Sequence, residues 1–429
     1  MSDVPSDKVI LTRRHLLGVT GALVSTGSDS LAQPAPTVRR LGPVATRAKT
    51  HNHFFPHTRS MSRTYHFARD NLLEVQVVFA NWYSQPGDEF ETGAPAIVKA
   101  SIEYPTGVFT PMQFSGNPVG TVPDGGMLMS DPVRTRISKD AKFFVRTLWE
   151  HRDKVVLSGR QDRPRGDAWA SGGAEIADRT LGGVIEPTNN DVCHFPVAIL
   201  AHTLAKSVYI LGDSRAREEG DRIDDGAGDQ GNIARSIGPA FGYINGAIPG
   251  ETFESFLAAN AQRRILAEYA THIVGELGIV DLTGGATAEI LKPYVYAVAD
   301  LFPGKPLFWA TAEPVTTSTD KWQTLEKQTP HPCHAERLLW NNWIRSGTTA
   351  LLAGHFDLAD TAESARDSGL FKAPIPGGFP VMTEDGTHLS HAGNLHQKNA
   401  GAVLTRRILG ALELPKVRAG TPPVKGVAQ

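Results

Sequence analysis

The stretch Val208–Asp221, VYILGDSRAREEGD, places four residues suited to a buried strand directly before Gly-Asp-Ser, and a run rich in charge and glycine after it. Uninterrupted apolar strands of this kind are typical of parallel sheets that are covered on both faces. A serine just beyond the end of such a strand is either an ordinary turn residue or a nucleophile held at the edge of the sheet. The rest of the chain decides between these interpretations.

After residue 205 the chain alternates between apolar runs and amphipathic segments. The apolar runs, which show no alternation of polarity, are KSVYIL, FGYIN, THIVGEL, PLFWAT and TTALLAG. The segments with helical spacing of apolar residues are ETFESFLAANAQRRILAE, HAERLLWNNWIRSG and NLHQKNAGAVLTRRILGALEL. Strands of the first kind alternating with helices of the second predict an α/β domain with a parallel sheet over residues 205–415.

Residues 62–204 instead alternate apolar and polar residues with a period of two. Leu73, Val75 and Val77 alternate with Glu74 and Gln76, and AIVKASIEYP and KFFVRTLWE follow as further strands. Turn signals such as YPTG and VPDGG separate these runs. The pattern predicts an antiparallel β-sandwich domain ahead of the α/β domain.

Length and composition restrict the class of protein. A chain of 429 residues is expected to form two domains. A net charge of −2, with 41% hydrophobic and 21% charged residues, is typical of a soluble globular protein and gives no electrostatic basis for binding nucleic acid or an anionic membrane. Cys193 and Cys333 show no metal-ligand spacing, and whether they pair in a disulfide is open, as is the oligomeric state.

The N-terminus has the features of an export signal. Arg13 and Arg14 precede a modestly apolar stretch, diluted by glycine and threonine, that ends in small residues near Ala32. This pattern indicates a twin-arginine (Tat) signal peptide over residues 1–32 and a periplasmic or secreted protein. The alternative is a disordered tail with a chance pair of arginines. The apolar stretch is too short and too interrupted to form a transmembrane helix.

Two further segments are expected to lie outside the domains. Residues 33–61, rich in proline, arginine and histidine, predict a linker, and residues 416–429 predict a disordered tail. The linker contains HNHFFPH, with His51, His53 and His57, but no carboxylate or cysteine stands at ligand spacing. A solvated linker is therefore favoured over a metal site, and no metal or other cofactor is expected.

Four stretches should meet at the carboxyl ends of the parallel strands, where doubly wound sheets bind their ligands. Ser214 follows the first strand, Gly250 in INGAIPGET follows the second, and GELGIVD ends the third. Asp385 and His388, in EDGTHLS, precede the last helix. Acyl transfer to serine needs a base for the hydroxyl proton, a group that orients the base, and N–H donors for the oxyanion. His388, Asp385 and the N–H groups of Ser214 and Gly250 can supply these functions.

The blocks LGDSR, NGAIPGET, ELGIVD and DGTHLSHAG resemble those of the SGNH/GDSL hydrolases in order and spacing, over roughly the C-terminal half of the chain. The resemblance implies a flavodoxin-like three-layer α/β/α fold and a carboxylic ester as substrate. It also implies Ser214 as nucleophile, His388 as base, Asp385 as its orienting partner and Gly250 as an oxyanion donor. Each block alone is more often structural, for example as a turn or a helix start, but their joint order favours a catalytic site.

The third block departs from the family pattern. The family has Gly-x-Asn-Asp, in which the asparagine amide is a third oxyanion donor, whereas this chain has valine, Val280, at the asparagine position. Loss of one such donor typically costs about 10²–10³ in rate. Asn232 or Asn245 is a candidate to replace the missing amide.

Two other features favour structural interpretations. The acidic stretch REEGDRIDDGAGDQGN fails the spacing of an EF-hand at its third position, Ile223, so a flexible loop beside the site is favoured. Trp340 and Trp343, three residues apart on a predicted helix, are expected in the core and not on a sugar-binding platform.

Two functional classes remain open from the sequence. The first is an exported serine esterase, with deacetylation of a carbohydrate as one candidate reaction and the β domain holding the polymer. The second is a non-catalytic carbohydrate-binding or scaffolding protein on a decayed SGNH fold. An O-acyltransferase is a variant of the first class, because an acyl-enzyme can pass its acyl group to an alcohol instead of water.

Overall fold

The period-two segments of the N-terminal half form strands, because alternation lets one face of each strand be buried. The structure, a computed structural model, describes residues 38–188, 192–221, 229–347, 352–375, 380–398 and 401–410. The strands before residue 205 are β1 (Arg40–Pro43), β2 (Ala48–Lys49), β3 (His53–Phe55), β4 (Arg59–Phe67), β5 (Leu72–Ala80), β6 (Trp82–Gln85), β7 (Asp88–Glu91), β8 (Ala96–Glu103), β9 (Phe109–Pro111), β10 (Gly120–Val122), β11 (Met127–Met129), β12 (Val133–Ile137), β13 (Lys142–Glu150), β14 (Val155–Leu157), β15 (Gly159–Arg160), β16 (Ala168–Gly172), β17 (Val192–Cys193) and β18 (Ala198–Thr203).

Most of these strands belong to two antiparallel sheets. The first has the order β1-β18-β5-β11, with β12 also paired to β5, and the second has the order β10-β8-β13-β4-β16, with β9 paired to β8. Val77 of the first sheet and Val98 and Val145 of the second lie in one buried cluster. A single 3₁₀ turn, Arg163–Arg165, is the helical element that the structure describes in this half.

The apolar runs after residue 205 form the parallel sheet that the sequence predicts. Its strands are β19 (Ser207–Leu211), β20 (Gly242–Asn245), β21 (His272–Gly275), β22 (Leu307–Ala310) and β25 (Leu352–Phe356), and a separate hairpin consists of β23 (Thr316–Ser318) and β24 (Gln328–Pro330). The helices are α1 (Ser214–Arg217), α2 (Asn232–Ile237), α3 (Phe253–Ala258), α4 (Ala261–Glu268), α5 (Ile279–Thr283), α6 (Ala288–Leu301), α7 (His334–Arg345), α8 (Ala359–Ala362), α9 (His391–Lys398) and α10 (Gly401–Leu409).

Both faces of this sheet are buried, which explains why its strands show no alternation. Tyr209 and Leu211 of β19 lie in one apolar cluster, to which α3, α6 and α7 contribute. Val208 and Ile210 lie in a second cluster, with residues of α2 and α10. Among the described residues, no helix is long and apolar enough to cross a membrane.

Residues 40–61 are not the linker that the sequence predicts. β1 pairs with β18, β3 pairs with β14, and β2 pairs in parallel with β20, so that β2 becomes the edge strand of the parallel sheet in the order β2-β20-β19-β21-β22-β25. Strands of two to four residues are too short to produce a recognisable period, which is why the sequence did not reveal them. Residues 1–37 and 411–429, with the predicted signal peptide and tail, lie outside the described residues.

The histidines of HNHFFPH also differ from the expectation of a solvated segment. His51 is fully buried, and its ring nitrogens lie 3.3 and 3.2 Å from the carbonyl oxygens of Trp82 and Phe195. His57 Nδ1 lies 2.7 Å from the hydroxyl of Ser171. The histidines therefore help to join strands, and within the described ranges no group of three or more potential metal ligands occurs.

The two architectures share a core. The cluster that covers one face of the parallel sheet contains Ala48, Val78, Trp82 and Leu200 from the N-terminal half. From Val38 onward the chain forms one compact unit. The change from antiparallel to parallel strands falls between β18 and β19, near the expected residue 205.

Candidate active site

Ser214 is held by the turn that ends β19. Asp213 caps α1, because its Oδ1 accepts the N–H of Arg215 at 3.0 Å, and Ser214 is the first residue of that helix. A Cβ at Gly212 would lie 2.6 Å from the Cβ of Ala216 and 3.4 Å from that of Glu276, so only glycine fits this tight turn. The geometry presents the serine at the carboxyl end of the central strand.

The structure brings Ser214, His388 and Asp385 together as the sequence predicts. The Ser214 hydroxyl lies 2.8 Å from Nε2 of His388, and Nδ1 of His388 lies 2.7 Å from Oδ2 of Asp385. The histidine side chain is 23% exposed and the aspartate side chain 53%. A serine, a histidine and an aspartate therefore form one continuous, solvent-accessible chain of contacts, the arrangement that a serine nucleophile with its base requires.

The loop that carries Asp385 keeps its carboxylate ionised. Burial opposes ionisation, but hydrogen bonds from the side chain and N–H of His388 and from the N–H of Thr387 outweigh it and hold the pKa of Asp385 well below its usual range. Gly386 (φ +80°) accepts a hydrogen bond from the N–H of Thr316, on β23, at 2.9 Å. The β23–β24 hairpin is therefore hydrogen-bonded to the loop that carries Asp385 and supports it.

Gly250 lies in the loop between β20 and α3, two residues before the capping residue Thr252. The loop is tied to the nucleophile turn, since the N–H of Ile248 donates to the carbonyl of Gly212 at 2.9 Å. Gly250 has φ +76°, a conformation that favours glycine. Within the described part of the chain, no backbone hydrogen bond is donated by the N–H of Gly250 or of Ser214.

The third block keeps its aspartate but not its amide. Val280, on α5, is half-buried against the core, whereas Asp281 accepts the N–H of Phe253 at 3.1 and 3.3 Å and so ties the start of α3 to α5. Burial raises the pKa of Asp281 to about 7. The side chain at position 280 offers no hydrogen-bond donor.

The two candidate asparagines donate hydrogen bonds to other groups. Asn232 Nδ2 donates to Glu276 Oε1 at 2.5 Å and to Glu313 Oε1 at 3.1 Å, which uses both of its N–H groups. Asn245 Nδ2 donates to the carbonyl of Ala216 at 2.9 Å, which uses one of its two N–H groups. Asn232 is therefore committed to the carboxylates, whereas a donor role for Asn245 stays a prediction.

A buried polar cluster beneath Ser214 was missed by the sequence analysis. Arg215 donates to Glu313 Oε2 at 2.9 Å, and Glu276 and Asp213 lie close enough to this ion pair for each carboxylate to affect the others. Burial raises the pKa of Asp213 to about 6 and that of Glu276 well above its usual value. Glu276 and Glu313 each stand shortly after the end of a parallel strand. This position in the sequence is the signal from which the polar cluster could have been predicted.

The acidic stretch after Ser214 points largely inward at both of its ends. Glu218 forms a buried ion pair with Lys49, and Asp221 pairs with Arg235 at 2.6 Å. A Cβ at Gly220 would lie 3.1 Å from the Cβ of His388, so the start of the stretch packs beside the catalytic loop. Residues 222–228, with Ile223, lie outside the described residues.

The tryptophans and cysteines have structural roles. Trp340 is fully buried and stacks on Trp343 at 5.2 Å, as a core pair should. Cys193 and Cys333 are buried free thiols, which answers the question that the sequence leaves open.

No protein-family model and no curated protein matches the sequence. Solved structures that the chain resembles, over roughly its C-terminal half, are GDSL/SGNH lipolytic proteins and carbohydrate acetylesterases. A carbohydrate acetylesterase family member from Sinorhizobium meliloti shares 16% identity over 48% of this chain and 99% of its own, with a TM-score of 0.33. A lipolytic protein of the G-D-S-L family from Veillonella parvula shares 12% sequence identity over 47% of this chain and 100% of its own, with a TM-score of 0.34. The psychrotrophic esterase EstA from Pseudoalteromonas sp. shares 16% sequence identity over 48% of this chain and 99% of its own, with a TM-score of 0.33.

Proposed function

We propose that the protein is a serine esterase of the SGNH/GDSL type, which cleaves carboxylic esters through Ser214, His388 and Asp385. The observation that carries the proposal is the unbroken line of contacts from Asp385 through His388 to Ser214, at 2.7 and 2.8 Å. The serine and the histidine stand 174 residues apart in the chain. A purely structural role for either residue would not require this alignment.

In the first half of the reaction, Ser214 Oγ attacks the carbonyl carbon of the ester while its proton passes to His388 Nε2. Asp385, ionised, accepts the N–H of Nδ1 and stabilises the imidazolium. The tetrahedral oxyanion receives hydrogen bonds from the N–H groups of Ser214 and Gly250. The intermediate then collapses, the proton moves from His388 to the departing alkoxide, and the alcohol leaves an acyl-serine behind.

In the second half, water takes the place of the alcohol. His388 removes a proton from the water as it attacks the acyl-serine, and the same two N–H groups hold the second oxyanion. Collapse breaks the bond to Ser214 Oγ, which regains the proton from His388, and the carboxylic acid is released. An alcohol in place of this water would give the acyltransferase variant.

We propose an ester of a polar, bulky alcohol as the substrate, with an acetylated carbohydrate as the first candidate, so that the carbohydrate hydroxyl is the leaving group. The support is the accessibility of the triad, since the His388 side chain is 23% exposed and that of Asp385 53% exposed. An open site admits an ester that is attached to a large polymer. Export by the twin-arginine route, proposed from Arg13 and Arg14, would place the enzyme where such polymers occur, and replacement of both arginines by lysine should then keep the protein in the cytoplasm.

We also propose that the two antiparallel sheets pack as a β-sandwich and that the parallel sheet is the middle layer of an α/β/α arrangement. The support for the sandwich is the buried cluster that both antiparallel sheets share. The support for the three layers is the pair of clusters on opposite faces of β19.

Hydrolysis of p-nitrophenyl acetate by purified protein tests the proposed function. Ser214→Ala should lower kcat by about 10⁴-fold or more, because the members of a triad act as a unit, and should leave the Tm nearly unchanged. Ser346→Ala, at the exposed end of α7, is the matched control and should keep full activity. Equal turnover in Ser214→Ala and wild type would remove Ser214 from the mechanism. No turnover in either protein would favour the non-catalytic binding protein.

A further inference from the structure

The hairpin of β6 and β7 carries the exposed turn Gln85–Asp88 from the N-terminal half to the loop of Gly250. Pro86 Cγ lies 3.7 Å from the position that a Cβ on Gly250 would occupy. A Cβ on Gly87 would lie 4.0 Å from the Cβ of Ser255, on α3. A segment that precedes Ser214 by more than a hundred residues in the sequence therefore lies beside the loop of Gly250.

Glu89, on β7 of the same hairpin, binds the start of α4. One of its carboxylate oxygens accepts the N–H of Gln262 at 2.7 Å, and the other accepts the N–H and the Nε–H of Arg263, both at 3.1 Å. The Gln262 side chain adds a bond of 2.8 Å to the carbonyl of Gly125, also in the N-terminal half. Glu89 thus holds both the backbone and the guanidinium at this point.

Arg263 connects Glu89 to the loop that contains Gly250 and Glu251. Its NH1 donates to both carboxylate oxygens of Glu251, at 2.8 and 2.7 Å, and the side chains of both residues are completely buried. Glu251 is the residue after Gly250, so its anchored side chain restrains the peptide that follows Gly250. The three side chains form a continuous line, Glu89–Arg263–Glu251, from the hairpin to the loop.

We propose that Glu89 is a positioning residue for the oxyanion hole, because it fixes the Gly250 N–H through Arg263 and Glu251. The inference rests on the proposed esterase function. Oxyanion donors act by being held in place before the charge develops, and buried ion pairs contribute little net stability but can fix one geometry. With Val280 in place of the amide donor, the two backbone N–H groups carry the whole charge, so the position of Gly250 matters more. The β6–β7 hairpin of the N-terminal half then helps to position an oxyanion donor.

The test compares two buried glutamates that each bind arginine side chains. Glu89→Ala should lower kcat on p-nitrophenyl acetate about 10- to 100-fold, since a displacement of about 1 Å can cost 10²-fold, and should change KM less than about twofold. Glu89→Gln, which keeps an acceptor oxygen, should restore part of the rate. Glu103→Ala is the control: Glu103 binds Arg63 and Arg146 in the second antiparallel sheet, remote from the site, so its loss should lower the Tm but leave kcat unchanged.

All variants are assayed well below their own Tm, with circular dichroism to show that they are folded. If Glu89→Ala does not fold, Glu89→Gln tests the role of Glu89 instead. We expect this variant to lose kcat several-fold at an unchanged KM. An unchanged kcat in the folded variant, or an equal loss in Glu103→Ala, overturns the role of Glu89. In either case, the proposed function is retained if the wild type hydrolyses the ester and Ser214→Ala does not. Absence of turnover in the wild type overturns both.

Discussion

The two halves of the molecule contribute to the candidate active site in different ways. In the α/β half, Ser214 and Gly250 follow their strands within a few residues, and Asp385 and His388 share one loop. In the N-terminal half, Lys49 and Glu89 act through residues that are far away in the sequence. The reacting groups therefore lie in one half, while part of their support lies in the other.

Arg217 shows this dependence most clearly. It lies on α1, the helix that Ser214 begins, and it is buried, which lowers its pKa to about 10. Its guanidinium donates to the carbonyl oxygens of Thr50 and Ser158 in the N-terminal half and to that of Ala247 beside the oxyanion loop. The nucleophile helix is consequently fastened to the half of the chain that carries no reacting group.

The largest expected effect comes from separating the halves. Residues 205–415 alone lack the edge strand β2 and the core residues Val78, Trp82 and Leu200. They also leave Arg217 without three of its acceptors. The fragment should show no cooperative melting transition and no esterase activity. The control is the chain from residue 38 onward, which should melt cooperatively and keep its activity. A folded, active fragment would break the comparison, because the N-terminal half would then be dispensable.

A smaller effect is expected at position 280. Val280→Asn should raise kcat on a small ester about tenfold, because an added amide N–H₂ strengthens its interaction as the oxyanion forms. The side chains are similar in size, although a buried amide without a partner costs about 1–3 kcal/mol of stability. Val280→Leu, which is close to asparagine in shape but has no hydrogen-bond donor, is the control and should give no gain. A wild type that is already fast and gains nothing from asparagine would show that the oxyanion hole is complete without this donor.

The smallest effect concerns pH. Burial raises the pKa of Glu276, so the folded state keeps a proton that the unfolded state releases above about pH 4.5. This contribution to stability is present at low pH and is lost as the pH rises towards the raised pKa. Glu251 and Asp281, with pKa values of about 7, act in the same direction.

Comparison of the melting temperatures of Glu276→Gln and wild type isolates the contribution of Glu276 to the pH dependence of stability. Glutamine resembles the protonated glutamate, so the Tm of the variant relative to wild type should rise by about 2–4 °C between pH 6.5 and 8.5. Glu326→Gln, on the surface, is the control. Buried His66 and His194, whose pKa values burial lowers to about 3 and about 4, make stability fall below about pH 6.5, which is why the comparison starts there. A constant Tm difference would show that Glu276 is ionised throughout.

The triad could be placed from the sequence because Ser214 follows a strand directly, and Asp385 and His388 share one short block before a helix. The five apolar runs after residue 205 became parallel strands for the same local reason, since a strand buried on both faces needs no polar alternation. The catalytic roles of Ser214, His388 and Asp385 stay a prediction until the chemistry is measured.

The contributions of the N-terminal half could not be predicted, for two physical reasons. The edge strand β2 has only two residues, Ala48 and Lys49, and a period cannot be seen in two residues. Glu89 and Arg263 are separated by 174 positions, and neither stands in a pattern that distinguishes it from a surface charge. Pairing of this kind is determined by the packing of the finished fold, so it becomes visible only in three dimensions.

The most direct test of the esterase assignment is covalent labelling by an alkyl fluorophosphonate, followed by intact-mass and peptide-mass measurement. Ser214 Oγ would displace fluoride from phosphorus, with its proton removed by His388, and form a stable phosphonyl-serine. The account predicts one adduct per chain, located at Ser214, that disappears in Ser214→Ala and forms far more slowly in His388→Ala. A folded wild-type protein that takes up no label, or that carries it on another residue, would contradict the account.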